Sequence, residues 1–527
     1  MAAVGLLLLI ACVNMANLLL ARAASRDREL TLRSALGASR GRLMRQLLTE
    51  SALLAVLGAA LGLVVASWGS NVLIQLMTTG STGPDAVNPI ALAMGPNWRV
   101  LLFATLAAVV TTFLFGMAPA WRVTVTTPAA AMNAASPRLV RPGGRVARSL
   151  VAAQVAISLP LLIGAGLFAR TLDNLRTLDR GFRHEDVLLI DVDARRTGKD
   201  KPALRAFYQQ ALTFIEQLPS VKAASLSAVT PLMGGGISMP IAVNGQPVDS
   251  GEMHFNVIAP RYFEVLGTPL VLGRDFSNRD DATAPPVAIV NEAFVRQYMK
   301  DVAPLGQQVS VVGSPQEMQI VGVVRDAVYE DLRQTPPPTV YAAFLQSRVD
   351  TATLEIYAPG SLVRVTAAIR DEVQPKLAGK PVRVRTLTDQ LESGLVRERF
   401  MTTLASNFGV LALSLAVVGL YGILAFNVAR RTGEIGLRIA LGARQSQVLA
   451  EILHEAGRMV TLGIVIGLPI AWMASRLVSS MLFGVTARDP LTAVVSIAVL
   501  ACAAFVAAFL PARRAARVDP LVAIRCE

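Results

Sequence analysis

The side chains of this 527-residue chain that could carry covalent chemistry are few and scattered. Its three histidines, His184, His254 and His454, lie far apart, so neither a histidine-rich metal site nor a Ser-His-Asp arrangement has support. His254, beside Phe255, reads as a strand-edge residue. No stretch satisfies G-x-x-x-x-G-K-[ST], whose loop amides and lysine cradle nucleotide phosphates; Gly234-Gly235-Gly236 lacks the following lysine and reads as a loop. The expectation is a chain without catalytic, cofactor-binding or metal-binding residues, not an enzyme, dependent on an energy source in another chain.

What the chain does carry is one charged pair written twice. Residues 29–50, ELTLRSALGASRGRLMRQLLTE, return 405 positions later as EIGLRIALGARQSQVLAEILHE, with nine of 22 residues identical. Glu29 and Arg33 sit at i, i+4, as do Glu434 and Arg438, the spacing at which opposite charges meet on a helix. Leu36 and Gly37, and likewise Leu441 and Gly442, follow; glycine suits a helix C-terminus and Ser39 a new N-cap. Leu32, Ala35 and Leu36 form an apolar stripe at helical spacing. Each copy therefore reads as a short surface helix, an elbow, and a second helix entering a membrane. The match continues through Gly58/Gly463, Gly62/Gly467 and Ala66/Ala471.

The elements that must hold these elbows are apolar. With 53% hydrophobic residues and a mean hydropathy of +0.50, the chain is too apolar for an ordinary soluble enzyme. Seven stretches suit spanning helices: 2–21, 51–77, 100–121, 149–169, 402–428, 457–482 and 490–511. The first is no signal peptide, because its first charge, Arg22, comes after the apolar run. Asn14 and Asn17, on one face of it, are expected to hydrogen-bond to a neighbouring helix. Pro160 is expected to kink the fourth span, its freed carbonyl answered by a neighbour. No Asp or Glu falls inside a span, which disfavours a proton- or sodium-coupled carrier.

The net charge of +13 is not a nucleic-acid footprint. Residues 171–398 hold 24 basic against 27 acidic groups; the basic excess sits in short loops at 22–45, 122–148, 430–444 and 513–525. That is the positive-inside pattern, and it places the elbows and the C-terminus in the cytoplasm and 172–398 outside. The external block alternates β-rich runs (187–194, 223–229, 318–328, 351–358, 381–387) with amphipathic helices (202–217, 362–374), which suggests α+β structure without a disulfide framework.

Together these motifs resemble a known family. The elbows, the ending LPARRAARVDPLVAI and the span ACVNMANLLLARA are similar to the FtsX-like permease domain of MacB-type ABC transporters. FNVIAPRYFEVLGTPLVLGRDF, PPVAIVNEAFVRQYM, PLGQQV, IVGVVRDAVYEDLR and PPTVYAAF resemble the MacB-type periplasmic core domain. The resemblance implies a polytopic α-helical membrane protein of the bacterial cytoplasmic membrane, with about seven spans, two homologous FtsX-like permease units and an inserted α+β periplasmic domain of MacB core type. It assigns 1–135 to the first unit with its elbow at 26–50, 136–171 to a linker and the fourth span, 172–398 to the periplasmic domain, and 399–527 to the second unit with its elbow at 430–455.

The resemblance further implies that Glu29, Arg33, Leu36 and Gly37, with Glu434, Arg438, Leu441 and Gly442, couple the chain to a separate ABC ATPase dimer. The partners expected are that ATPase, the lipid bilayer and a periplasmic protein, with no nucleic acid. The function expected is ATP-driven movement of the periplasmic domain for export or extraction of a hydrophobic, peptide or lipid-linked cargo. The alternatives are a transmembrane regulator that moves no cargo and an inactive paralogue. Relative to the family pattern, a span and an external domain are expected ahead of the first unit.

Overall fold

A computed structural model describes residues 3–15, 40–78, 102, 105–106, 143–191, 201–233, 237–248, 253–329, 331–347, 352–372 and 383–517. Residues 26–39 of the first elbow, Asn17, Gly234–Gly236 and nearly all of the expected span at 100–121 lie outside these residues. The chain divides into a helical unit of residues 1–75, 91–174 and 398–527, and an α+β unit of 76–90 and 175–397.

In the helical unit we number α1 (Ala3–Met15), α2 (Arg40–Thr78), α3 (Gly143–Thr177), α4 (Val396–Arg430), α5 (Thr432–Ala440), α6 (Gln445–Val478) and α7 (Pro490–Ala516). Four described helices are long and apolar enough to cross a membrane: 148–177 within α3, α4, α6 with the short turn after it, and α7; α1 and the 55–69 part of α2 are shorter apolar helices.

Helix α3 is gripped on several sides, and glycine makes the grip possible. A Cβ on Gly463 of α6 would lie 2.5 Å from Val155 Cγ1, and one on Gly467 would lie 2.8 Å from the Ala156 carbonyl oxygen. On α3 itself, a Cβ at Gly166 would meet Thr492 Cγ2 of α7 at 2.6 Å. On α4, Gly409 lies against Ala165 and Gly419 against Gln154. Around these contacts Val151, Val155, Leu159, Ile163 and Leu167 pack on Leu420, Ile423, Leu424 and Leu500. Ala156 is also the carbonyl that Pro160 leaves without its helical donor, so Gly467 brings backbone to the place where the proline has opened the ladder. The repeat-equivalent glycines of α2, Gly58 and Gly62, have nothing within 4 Å of a built Cβ.

The α+β unit is organised by one sheet. Its strands are β1 (Val187–Asp191), β2 (Ala223–Ser227), β3 (Ile237–Ser238), β4 (Ile241–Val243), β5 (Gln246–Pro247), β6 (His254–Ile258), β7 (Leu270–Gly273), β8 (Val287–Asn291), β9 (Gln308–Val311), β10 (Glu317–Val324), β11 (Thr339–Ala343), β12 (Thr353–Tyr357) and β13 (Arg383–Thr386). They run in the order β13-β1-β12-β2-β6-β11-β8-β10-β9-β4-β5, with β3 on β6 and β7 on β10. The pairs β6–β11 and β8–β10 are parallel and the others antiparallel. One face packs Leu188, Ile190 and Leu354 on Tyr208, Ile215 and Ile369 of the helices Lys201–Glu216 and Leu362–Glu372. The other packs Leu189 and Ile289 on Tyr262, Phe263, Tyr329 and Tyr341. His254 is not at a sheet edge: it opens β6 between Ser238 and Thr339 and is 7% exposed, because β3 and β11 flank it.

Glu355 in β12 is fully buried opposite Leu189 and Ser225. Ser227 Oγ donates to its Oε1 at 2.5 Å, while Oε2 has no hydrogen-bond partner. Burial pushes its pKa from 4.5 up to about 8; the Ser227 hydrogen bond opposes the shift and the nearby Asp191 charge adds to it. The folded state therefore holds a proton that the unfolded chain releases.

Two outcomes follow from this packing. Gly467→Ala should destabilise the helical unit by about 1–3 kcal/mol through overpacking against α3, read as a lower melting temperature in detergent, while Gly58→Ala, with open space around the added Cβ, should not lower it. For Glu355, stability should fall by about 1.4 kcal/mol per pH unit as pH rises from roughly 4.5 to 8. Glu355→Gln should remove that slope in melting temperature measured on the full chain; an unaltered slope would assign it to other groups.

Candidate functional site

The second elbow is built where α4 ends. Arg431 leaves helical geometry, Thr432 Oγ1 donates back to the Val428 carbonyl at 3.0 Å, and the nine-residue α5 starts in a new direction. Ile435 of α5 enters a small core with Val448 of α6 and Ala515 of α7, joined by Val428, Ile439 and Ile452. This apolar contact ties α5 down.

Helix α5 closes through its backbone. Gly442 N–H donates to the Ile439 carbonyl and Ala443 N–H to the Arg438 carbonyl, both at 3.0 Å, which is the double bond of a Schellman motif. The motif needs a left-handed residue after the helix, and Gly442 supplies it at φ +98°. Arg444 then starts α6, its N–H donating to Gln447 Oε1 at 3.1 Å. Where a Ser39-type hydroxyl cap was expected in the first copy, the second therefore caps with a glutamine from the first turn.

Charges gather on the inner side of this bend. Arg438 pairs with Glu434 one turn earlier and with Glu451 of α6 at 3.2 Å. Glu455, further along α6, lies 3.9 Å from Arg431 and 3.8 Å from Arg148 of α3. Arg431, Glu434, Arg438, Glu451 and Glu455, with Asn427, border a cleft of about 30 Å³. Each pair is partly solvated and is worth at most about 1 kcal/mol, so the network orients the elbow more than it stabilises it.

The four second-copy site residues thus come together: Glu434 and Arg438 as an ion pair, Leu441 and Gly442 at the turn. Their apolar stripe does not point where its spacing suggested. The counterparts of Leu32, Ala35 and Leu36 are Leu437, Ala440 and Leu441, and all three are exposed, Leu437 to 53% and Leu441 to 80%. The buried face is Ile435, Gly436 and Ile439, because α6 and α7 lie on that side. Within and at the end of α5 the residues identical between the copies, Glu434, Leu437, Arg438, Ala440, Leu441 and Gly442, are all exposed, and the next identical residue, Ala443, is half-buried. The buried Ile435 and Gly436 and the half-buried Ile439 differ from their counterparts Leu30, Thr31 and Ser34. Glu29, Arg33, Leu36 and Gly37 themselves lie outside the described residues.

Arg148, Arg431, Glu451 and Glu455 were not anticipated as site residues. Glu455 and Arg431 left a trace in the sequence, as the repeat partners of Glu50 and Arg26. Among the described residues no group of His, Cys, Asp and Glu could hold a metal ion.

Comparison with known proteins places both elbows in one family. The FtsX-like permease C-terminal family model matches residues 1–128 and 407–520, and the MacB-like periplasmic core domain model matches 151–383. A pyoverdine export ATP-binding/permease protein of Pseudomonas fluorescens is 30% identical over 278 residues, covering 50% of this chain and 41% of that protein. A macrolide export ATP-binding/permease protein of Aeromonas hydrophila is 28% identical over 283 residues, 50% of this chain and 42% of that one. The chain thus spans less than half the length of these two relatives. The periplasmic region of MacB from Actinobacillus actinomycetemcomitans aligns with 41% of this chain and 94% of its own, at 12% identity and a TM-score of 0.30. With an FtsX-like permease match on either side of a MacB-like core domain and several apolar helices long enough to span a bilayer, the chain is a multi-pass membrane protein that belongs to the FtsX/MacB-type ABC permeases.

Proposed function

We propose that the chain is the permease subunit of an ABC export system and that its two elbows are docking sites for a separate ATPase dimer. The observation that carries this reading is the sorting of the repeat. In and just after α5, Ile435, Gly436 and Ile439, which pack inside the chain, have changed between copies, whereas the outward-facing Glu434, Leu437, Arg438, Ala440, Leu441 and Gly442 have stayed the same. Of the outward α5 residues only Gly433, at the helix start, differs, from Arg28. Packing within this chain cannot select an exposed Leu441 or Leu437, but a common partner at both elbows can. Two identical ATP-binding subunits would present the same socket to both copies, and in each Leu36 or Leu441 would be the apolar anchor, with Arg33 or Arg438 beside it.

The basic loops put the elbows on the cytoplasmic side, where ATP is, and the α+β unit outside. The relatives named for pyoverdine and macrolide export point to a bulky, amphiphilic cargo, and movement of the external domain is the work that ATP binding would drive. In this reading the chain itself hydrolyses no ATP.

The test is retention of an ATP-binding chain when the permease is purified from its native membrane in mild detergent. Leu36→Asp with Leu441→Asp, and separately Arg33→Glu with Arg438→Glu, should weaken retention at least tenfold, about 1.4 kcal/mol. Melting temperature should hold within about 2 °C for Leu441→Asp alone, because Leu441 is exposed, while Arg438→Glu should lower it slightly through loss of the pairs with Glu434 and Glu451. Undiminished retention in both pairs would reject the docking role.

A further inference from the structure

The charges at the far end of α6 break the pattern that places the others. The basic loops gather on the elbow side of the membrane, yet α6, which starts at the elbow, ends in Arg476, and the turn after it carries Arg488. Between positions 472 and 494 the one acidic residue is Asp489, and it is engaged elsewhere. Its carboxylate caps α7 by accepting from the Thr492 N–H at 2.8 Å, and it pairs with Arg170 of α3. Among the described residues no carboxylate partners Arg476 or Arg488.

What the two guanidiniums have in common is an indole. Arg488 stands over the Trp472 ring, 5.9 Å from its centroid, and Arg476 lies one turn along α6 on the same face as Trp472. The turn that carries Arg488 is held in place by α3. The Phe483 N–H donates to Thr171 Oγ1 at 3.4 Å, and Asn174 Nδ2 donates to the Phe483 carbonyl at 3.3 Å. Gly484, at φ +63°, leaves room for Asn174, whose Nδ2 a Cβ would meet at 2.8 Å. The fold therefore builds the cluster, and both cations in it are exposed. Toward the elbow the same side of α6 continues as Met473, Ile466 and Val465, all exposed and all apolar. Val465 to Arg476 covers about 16 Å of helix, the depth of one leaflet in a hydrocarbon core of about 30 Å.

We propose that Trp472, Arg476 and Arg488 form a binding site for one anionic phospholipid in the leaflet opposite the elbow, with its phosphate at the two guanidiniums and an acyl chain along Met473, Ile466 and Val465. Guanidiniums suit this ligand because their planar forks match pairs of phosphate oxygens. The tails alone would select nothing, since any lipid supplies them. Selection comes from the charges: two uncompensated cations repel the ammonium of a zwitterionic headgroup, and Asp489, already bound to Arg170 and the start of α7, is not available to receive it. The site is independent of which protein docks at the elbows.

Trp472 itself reports on the occupant. In the full chain in lipid nanodiscs, with Trp68→Phe, Trp98→Phe and Trp121→Phe, brominated phosphatidylglycerol is expected to quench Trp472 at least about fivefold more efficiently than brominated phosphatidylethanolamine at the same mole fraction. Arg476→Gln with Arg488→Gln should bring the two lipids to parity. Arg430→Gln with Arg513→Gln, an equal loss of charge at the elbow ends of α4 and α7, should leave the preference in place. Excess inorganic phosphate should leave it too; its loss there would assign the guanidiniums to a free anion and overturn the lipid. Equal quenching by the two lipids in the parent chain, or a preference that survives the Arg476 and Arg488 replacements, also overturns the proposal. Native mass spectrometry of the chain with all its tryptophans gives a second reading. Retained phosphatidylglycerol should fall with the Arg476 and Arg488 replacements and not with those at Arg430 and Arg513, and equal retention in the two variants would reject the site.

Discussion

Close approach of helix backbones, permitted by glycine, is the interaction on which the helical unit rests. Apolar side chains gain little from leaving lipid for one another, so association between spanning helices depends on contact and on polar bonds. Here α3 obtains both. Gly463 and Gly467 let α6 lie on Val155 and Ala156, Gly409 and Gly419 let α4 lie on the opposite side, and Gly166 admits Thr492 of α7. Gln154 and Ser158 then add bonds to α4 carbonyls that side-chain packing alone would not orient. Helices α4, α6 and α7 all pack on this one helix, and the elbow in turn is tied down by α6 and α7.

The α+β unit uses a different economy. Its sheet is covered on both faces, so its central strands are apolar almost throughout, and polar groups inside it must be answered individually. Asn256 exchanges hydrogen bonds with the backbone of Val229, and Ser225 donates to the Ala259 carbonyl. Glu355 and Gln390 are answered at one atom only: Glu355 Oε2 and Gln390 Oε1 have no hydrogen-bond partner.

How far the sequence could be read depended on the range of the interaction. Helices set by local periodicity were legible: 362–374 was expected and Leu362–Glu372 is found, and the i, i+4 pair Glu434–Arg438 forms. Strand positions were legible too, but not their neighbours, since β1 lies between β12 and β13, which arrive more than 150 residues later. The burial of Glu355 and His254 follows from those distant pairings, so His254, a strand-edge residue by sequence, lies inside. At the elbow the apolar stripe was visible but its direction was not, because Leu437 and Leu441 are as apolar as the Ile435 and Ile439 that α6 and α7 cover. The Arg438–Glu451 contact depends on the angle between two helices, which no spacing rule contains.

The Schellman closure at Gly442 separates shape from identity. Two backbone hydrogen bonds and one glycine hold the turn, and the apolar underside anchors the short helix, so no outward side chain is needed to maintain either. Positions 437 and 441 are therefore free of packing obligations to the rest of the chain, while Arg438 is held only by its solvated pairs with Glu434 and Glu451. In evolutionary terms the elbow is an exchangeable adapter: those positions can drift in step with whatever they touch outside, and a transplanted elbow would carry its specificity with it.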